Sequence, residues 1–311
     1  MVDISVIIVS WNVADYLRHC LDSLRAEAAR HASPSIEVVV VDNDSTDGTV
    51  EMARDAFPEA RLIVNSVNVG FTRANNQGIS VASGRFILLL NPDTEVLPGA
   101  MEAMVAYLDA HPQVGSLGPE LLNSDGSHQS SRRRFPTLAT AFVESTILQS
   151  YFPNSRLLKR YYCLDLPAGQ TQEVDWLVGA CLIVRREAVE NVGLLDEGYF
   201  MYSEELDWCY RIKKAGWKVV YLPEARVVHH YARSSSQVLP SQHIYFQSSK
   251  CRYFGKYHGW AAAAVLRGFL WLTYLVQLGQ EGVKFVLGHK RALRRQRLGL
   301  LLAVLRSGLR A

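Results

Sequence analysis

Five apolar residues, Phe86–Leu90, run directly into Asn91-Pro92-Asp93-Thr94. Proline fixes its own φ and pushes the residue before it toward extended geometry. The chain therefore leaves a buried strand at a defined angle, with Asp93 at the strand's carboxyl end. In open α/β sheets, ligands bind outside those ends. Asp93 is thus placed to hold a metal or another ligand, although the tetrapeptide alone reads equally well as an ordinary Asp turn.

The surrounding pattern extends this strand into a sheet. Short apolar runs over 4–9, 36–41 and 61–64 alternate with helical spacing over 13–29, 71–82 and 98–110, the last with proline near its start. Such alternation predicts an α/β fold with a mostly parallel, doubly wound central sheet and flanking helices. Uninterrupted apolar strands mean that both sheet faces are covered. Between 123 and 173 the periodicity fails, which suggests an inserted, partly helical lobe. Strand character returns over 174–184, a helix follows over 203–215, and strands are expected at 218–222 and 226–228. From 241 onward the chain reads as helical. The expected organisation is one α/β domain over 1–240, with halves 1–122 and 123–240, followed by C-terminal helices over 241–311.

The second strand ends in Asp42-Asn43-Asp44-Ser45-Thr46-Asp47-Gly48. Carboxylates there can accept from a base N–H or a ribose hydroxyl, although these residues also favour turns for their own sake. Ser10-Trp11-Asn12 ends the neighbouring strand. No GxGxxG and no GxxxxGK[ST] occurs, which argues against NAD and against the usual triphosphate loop. Asn68 and Gly70 enter the next helix, where glycine permits close backbone approach and Arg73 can face a phosphate. Each of these is also an ordinary helix-entry feature. Asn75-Asn76 is a poor choice inside a helix, so something other than helix stability selects it.

Taken in order, these segments resemble the inverting family 2 glycosyltransferases of the GT-A fold, and among them the bacterial rhamnosyltransferase type. The matching residues are Ser-Trp-Asn at 10–12, Val-Asp-Asn-Asp-Ser at 41–45, Asn-x-Gly-Phe with Ala-x-Asn-x-Gly at 68–78, and Asn-Pro-Asp at 91–93. The likeness continues through 174–180, 200–207, Arg211, Ala215-Gly216 and His229 followed by Ser234, and spans roughly residues 3–258.

The resemblance implies a nucleotide-diphosphate sugar donor held by Ser10, Asn12, Asp42, Asn43, Asp44, Asn68, Gly70, Arg73, Asn76, Asn91 and Asp93. It implies Asp93 and His229 as ligands of Mg²⁺ or Mn²⁺, a hard cation that oxygen ligands and one imidazole suit. Asn91 stands where the family's Asp-x-Asp motif has its first acid. The family's catalytic base is the Asp of a Glu-Asp pair, and Glu205 of Glu204-Glu205 occupies that position, with Glu204 or Asp207 as substitutes. The acids also have a structural reading: Ser203 can cap the helix, its first turn favours acids, and Glu204, Asp207 and Arg211 share one face. Glu205 lies off that face.

The acceptor side is expected to include Trp176, Gly179, Glu204, Asp207 and Arg133. Arg133 belongs to Arg132-Arg133-Arg134, which suits the diphosphate of a glycan or polyprenyl-linked acceptor or a solvated loop. Processive sugar polymerases of the fold this chain resembles carry a Gln-x-x-Arg-Trp motif, which does not occur here, so the resemblance implies transfer of one sugar per encounter. A catalytically inactive sugar-nucleotide-binding scaffold and a nucleotidyltransferase are the competing readings.

Net charge is only +3, which implies no nucleic-acid partner. Charge is nonetheless uneven. After Glu281 there is no acid, while Lys284, Lys290, Arg291, Arg294, Arg295, Arg297, Arg306 and Arg310 follow. Residues 260–278 are apolar over about one bilayer thickness, interrupted by Arg267. Helices lying on an anionic membrane fit this pattern. Helices packed on the domain or in a homodimer interface are the alternative. Five scattered cysteines without a CxxC pair fit a reducing compartment. Together with an N-terminus that opens on a strand, this suggests the bacterial cytoplasm, at the inner face of the cell membrane.

Overall fold

The computed structural model describes residues 2–30, 34–230 and 239–310. They divide into two compact units. The first comprises residues 1–135, 162–198 and 204–234; the second comprises 136–161, 199–203 and 235–311.

The first unit is built on a ten-stranded sheet. Its strands are β1 (Ile4–Ser10), β2 (Ile36–Asn43), β3 (Arg61–Asn65), β4 (Phe86–Leu90), β5 (Thr94–Val96), β6 (Val114–Leu122), β7 (His128–Gln129), β9 (Gln172–Val174), β11 (Cys181–Arg185) and β12 (Lys218–His229). A separate ribbon pairs β8 (Arg132–Arg133) with β10 (Trp176–Leu177). Its helices are α1 (Ala14–Ala28), α2 (Thr49–Ala56), α3 (Phe71–Val81), α4 (Ala100–Ala110), α8 (Arg186–Val192) and α9 (Glu204–Lys214).

The central order is β3-β2-β1-β4-β11-β6-β12-β5. The first four strands are parallel, as the alternating pattern predicts. β11 runs antiparallel to both β4 and β6, so one reversed strand joins two parallel blocks. β1 and β4 are buried along their whole length, which accounts for their lack of apolar-polar alternation. α3 packs so close to β1 that a Cβ on Gly78 would stand 2.4 Å from Ile7 Cγ2. The last glycine of the Ala-x-Asn-x-Gly segment is therefore a packing requirement.

Register decides what meets at the carboxyl ends. Ser10 pairs with Asp42, and Ile8 with Leu90, so the ends of β1, β2 and β4 form one rim. The two strands expected at 218–222 and 226–228 are one strand, β12, with an irregularity between Leu222 and Arg226. Pro223 lies in that gap and has no N–H to give to a ladder. β12 continues to pair antiparallel with β5, and His229 sits opposite Thr94.

The second unit is helical: α5 (Leu138–Val143), α6 (Ile147–Tyr151), α7 (Arg156–Tyr161), α10 (Leu239–His258), α11 (Trp260–Val286) and α12 (Arg291–Arg306). Phe142 meets Phe269 edge-on at 4.7 Å. Lys250, buried, donates to the Glu144 carboxylate at 2.7 Å.

Candidate active site

At the end of β2, Asp42 is fully buried and already satisfied. Its carboxylate accepts from Ser10 Oγ at 3.1 Å, from the Ser45 N–H at 2.9 Å and from Ser45 Oγ at 2.5 Å. Asn12 joins the same rim: its N–H donates to Ser45 Oγ, and its Oδ1 accepts from the Thr46 N–H at 2.7 Å. Asn12 and Asp44 both hold positive φ, +51° and +69°. That backbone region is strained for residues with a side chain and clusters at functional sites. Asp47, the third acid of the segment, serves structure. One oxygen accepts the Ala14 N–H at the start of α1 and the other the Thr49 N–H at the start of α2.

The residues around α3 divide between the rim and its scaffold. Asn43 donates to the Gly70 carbonyl at 3.3 Å and accepts from Asn65, and Asn68 Oδ1 takes the Gly70 N–H at 3.0 Å. Asn76 is buried in a reciprocal clamp, donating to the Leu195 carbonyl and accepting the Leu195 N–H. This explains an asparagine at a position that helix propensity disfavours. Arg73 is exposed and pairs with Glu197 at 3.1 Å, and Asn76 donates to the same carboxylate.

The edge formed by β5 and β12 brings Asp93 and His229 together. Asp93 Oδ1 lies 3.4 Å from His229 Nε2, with both side chains buried. Asn91 Nδ2 stands 3.4 Å from the same ring nitrogen. The other nitrogen, Nδ1, is 2.7 Å from Gln129 Oε1. Backbone pairing fixes the approach, since the His230 N–H donates to the Asp93 carbonyl at 2.9 Å. Among the described residues no group of three or more His, Cys, Asp or Glu side chains converges as a ready-made metal cage. Ser234 lies outside the described residues.

The other acids sit at the start of α9. Glu204 and Glu205 each have one buried carboxylate oxygen without a hydrogen-bond partner among the described residues. Burial raises the Glu204 pKa well above its ordinary range, and the neighbouring Glu205 charge adds to this. Burial also raises the Glu205 pKa, with partial opposition from backbone N–H groups, including that of Gly179, and from the Arg133 charge. A Cβ at Gly179 would touch Glu205 Cβ and Cγ at 3.5 Å, so a larger side chain there would crowd the acid. Asp207 is set apart. It is fully buried and receives the Arg211 guanidinium at 2.8 Å, while Arg211 also donates to the carbonyls of Val192 and Leu194. The shared helix face is thus an Asp207–Arg211 pair that fixes the turn after α8, and Glu204 is not part of it.

Of the three consecutive arginines, two are occupied. Arg132 donates to Gln172 at 3.0 Å and lies over Tyr221; Arg134 pairs with Asp165. Arg133 sits opposite Trp176 in the β8–β10 ribbon. Its guanidinium lies 4.6 Å from the Tyr162 ring centroid and 6.0 Å from that of Trp176. Among the described residues it donates to Ser130 Oγ and the Arg132 carbonyl, and no carboxylate lies within ion-pair distance.

Gln129, Glu197 and Tyr162 are site residues that sequence reasoning missed. Gln129 and Tyr162 fall in the stretch where periodicity fails. The one available signal was chemical: a histidine that ligates through one nitrogen needs a partner for the other.

A family model described as Glycosyl transferase family 2 matches residues 5–193. The chain is 32% identical over 281 residues, 85% of its length, to the N-acetylglucosaminyl-diphospho-decaprenol L-rhamnosyltransferase of Mycobacterium tuberculosis, covering 89% of that protein. It is 25% identical to the rhamnosyltransferase WbbL of Escherichia coli, covering 81% of this chain and 92% of that one. The mannosyltransferase PcManGT of Pyrobaculum calidifontis, solved with GDP-Man and Mn²⁺, is similar in fold, with a TM-score of 0.55, 17% identity, and coverage of 98% of this chain and 86% of that one.

Proposed function

This chain belongs to glycosyl transferase family 2 and is a glycosyltransferase, and on that basis we propose that it transfers one sugar of the rhamnose type, with inversion, from a nucleoside-diphosphate donor to a hydroxyl of a glycan or lipid-diphosphate acceptor. The observation that carries this reading is the 3.4 Å approach of Asp93 Oδ1 to His229 Nε2 at the end of the sheet. Two donors on one octahedral cation at about 2.1 Å stand roughly 3 Å apart. The pair therefore fits Mg²⁺ or Mn²⁺ with little adjustment, leaving the other positions to diphosphate oxygens. A cation there would supply charge neutralisation at the departing diphosphate.

The protein's own groups do the rest. The rim formed by Ser10, Asn12, Asp42, Asn43 and Asp44 receives the nucleoside. Arg73 is exposed and reachable by a donor phosphate in exchange for Glu197. Glu205 accepts the proton of the attacking hydroxyl through its unpartnered oxygen. Its raised pKa makes it a stronger base than an ordinary glutamate, provided the pH lies above that pKa. One displacement on the face opposite the leaving group inverts the anomeric carbon. Arg133, over the Tyr162 ring and with no carboxylate within ion-pair distance among the described residues, suits an acceptor diphosphate.

The second unit supports a seat on an anionic membrane. α11 is long and apolar enough to cross a bilayer by length and composition, and it leaves a broad apolar face exposed. Leu266, Leu270, Thr273, Tyr274 and Glu281 are buried, while Val265, Leu272, Leu275, Val276, Val283 and Val286 are exposed, as is Trp260 at 82%. α12 and its flanks add Lys290, Arg291, Arg295, Arg306 and Arg310, all exposed. An apolar outer face beside cations suits a helix lying in the interface of an anionic bilayer.

The test is turnover. Purified protein, dTDP-rhamnose and a membrane extract should release dTDP and label lipid-linked glycan, and EDTA should stop both until Mn²⁺ is restored. Undiminished transfer in EDTA would refute the cation's role. No transfer from any nucleotide sugar would refute the activity.

A further inference from the structure

We infer that Gln129 is a positioning residue: it holds the His229 ring in the single tautomer that presents a lone pair toward Asp93. The inference rests on the reading that Asp93 and His229 hold a divalent cation. A backbone carbonyl can only accept, and the Gln129 side-chain atom 3.1 Å from the His229 carbonyl is therefore the amide nitrogen. The same nitrogen donates to Asn123 Oδ1 at 2.8 Å, and Asn123 Nδ2 in turn donates to Ser127 Oγ. Both ends of the amide are then assigned without reference to hydrogen positions. What remains for His229 Nδ1, at 2.7 Å, is the Gln129 oxygen, which can only accept. Nδ1 must carry a hydrogen, so in the neutral ring Nε2 is bare, facing Asp93 Oδ1 and the Asn91 amide.

The fold makes this hold rigid. Gln129 lies on β7, paired with Leu121 of β6, and β6 runs alongside β12, where Leu122 pairs with Val228 beside His229. The side chain thus reaches across one hairpin to grip both the backbone and the ring of a single residue. The asparagine and serine that hold the amide belong to the turn of that hairpin. An amide that grips backbone and ring together acts as an orienting partner of a ligand histidine. Loss of such partners costs about 10- to 100-fold in metal affinity.

The test compares wild type, Gln129→Leu and Gln129→Glu, with Asp93→Ala and His229→Ala as references. Thermal melting first confirms that each variant is folded. Mn²⁺ affinity is read from free MnCl₂ by electron paramagnetic resonance, with no substrate present. The His229 tautomer is read separately, in metal-free protein, by NMR of isotope-labelled histidine above the ordinary histidine pKa. We expect the Leu variant to bind Mn²⁺ about 10- to 100-fold more weakly and to show mixed tautomers. The Glu variant keeps an acceptor for Nδ1 and should keep the wild-type tautomer and bind more tightly than the Leu variant. Wild-type Mn²⁺ affinity and an unchanged tautomer in the Leu variant would overturn the role of Gln129 while leaving the cation reading intact. If Asp93→Ala and His229→Ala bind Mn²⁺ as wild type does, the cation reading fails instead. The metal-free tautomer then decides Gln129 alone, and a hydrogen on Nε2 in wild type overturns it.

Discussion

Asp42 and Glu204 are buried acids of the first unit, Glu205 next to Glu204 is half-buried with one buried oxygen, and the protein treats Asp42 and the glutamate pair in opposite ways. The Asp42 carboxylate accepts three hydrogen bonds from Ser10 and Ser45. Glu204 and Glu205 each keep an oxygen that nothing described engages. A buried polar atom without a partner costs about 1–3 kcal/mol, and a fold tolerates that where the group is needed for something else. On the function proposed above, the difference separates an acid that shapes a rim for a ligand from acids kept ready for a proton. It also shows why Glu205 is the better candidate base than Asp207, which lies on the same helix but is spent on Arg211.

The largest effect should follow from removing the ready acid. Glu205→Gln is expected to lower kcat by about 10²–10⁴-fold while donor affinity, measured by titration calorimetry with nucleoside diphosphate and Mn²⁺, stays within a few-fold. Equal loss in an Asp207→Asn variant that remains folded would erase the distinction between the two acids. Asp42→Ala should act on both stability and donor binding. It strands the Ser45 N–H and two hydroxyls, at about 1–3 kcal/mol of unfolding free energy, visible in denaturant midpoints, and it raises the donor KM.

Glu204→Gln should move stability the other way. Its folded pKa is raised above the ordinary 4.5, so the folded protein holds the proton more tightly than the unfolded chain does. The wild type therefore loses stability as pH rises from that ordinary value through the raised one. The Gln variant escapes this loss, so its Tm advantage should be absent in acid and grow toward neutral pH. A Tm gain that does not vary with pH would show that Glu204 charge is not the cause. The pH profile of kcat/KM supplies a related check on Glu205. Its raised pKa makes the base protonated, and turnover low, on the acid side, with activity rising through a midpoint above the ordinary glutamate value. The smallest effect concerns the membrane seat. Reversing the charge of Arg291 or Arg295 should weaken co-sedimentation with phosphatidylglycerol vesicles by about 1 kcal/mol per charge, with no effect on phosphatidylcholine.

Legibility in the sequence followed the physics of each region. β1 and β4 are buried throughout and β2 from Val39 onward, and that leaves apolar runs over 6–9, 38–41 and 86–90 ending at Ser10, Asp42 and Asn91. The rim of strand ends could therefore be placed in advance. The split expected in β12 came from Pro223, which breaks the pattern but only kinks the strand. The reversed direction of β11 left no trace, because an apolar run reads the same both ways. Asn76 was flagged by its poor helix propensity, and the clamp on Leu195 supplies the reason. Gln129 was invisible: a two-residue strand inside an aperiodic stretch carries no pattern, and its importance appears only when β12 brings His229 beside it. Arg133 was named with its neighbours, but only the structure separates it from two arginines that already have partners.

The central claim is that one divalent cation sits between a sheet-end carboxylate and a ring from the adjoining strand. Crystals grown with MnCl₂ and dTDP, measured for the anomalous signal of manganese, test it most directly. The account predicts one strong peak about 2.2 Å from both Asp93 Oδ1 and His229 Nε2, in contact with diphosphate oxygens. A bound nucleotide whose manganese peak touches neither side chain would contradict it.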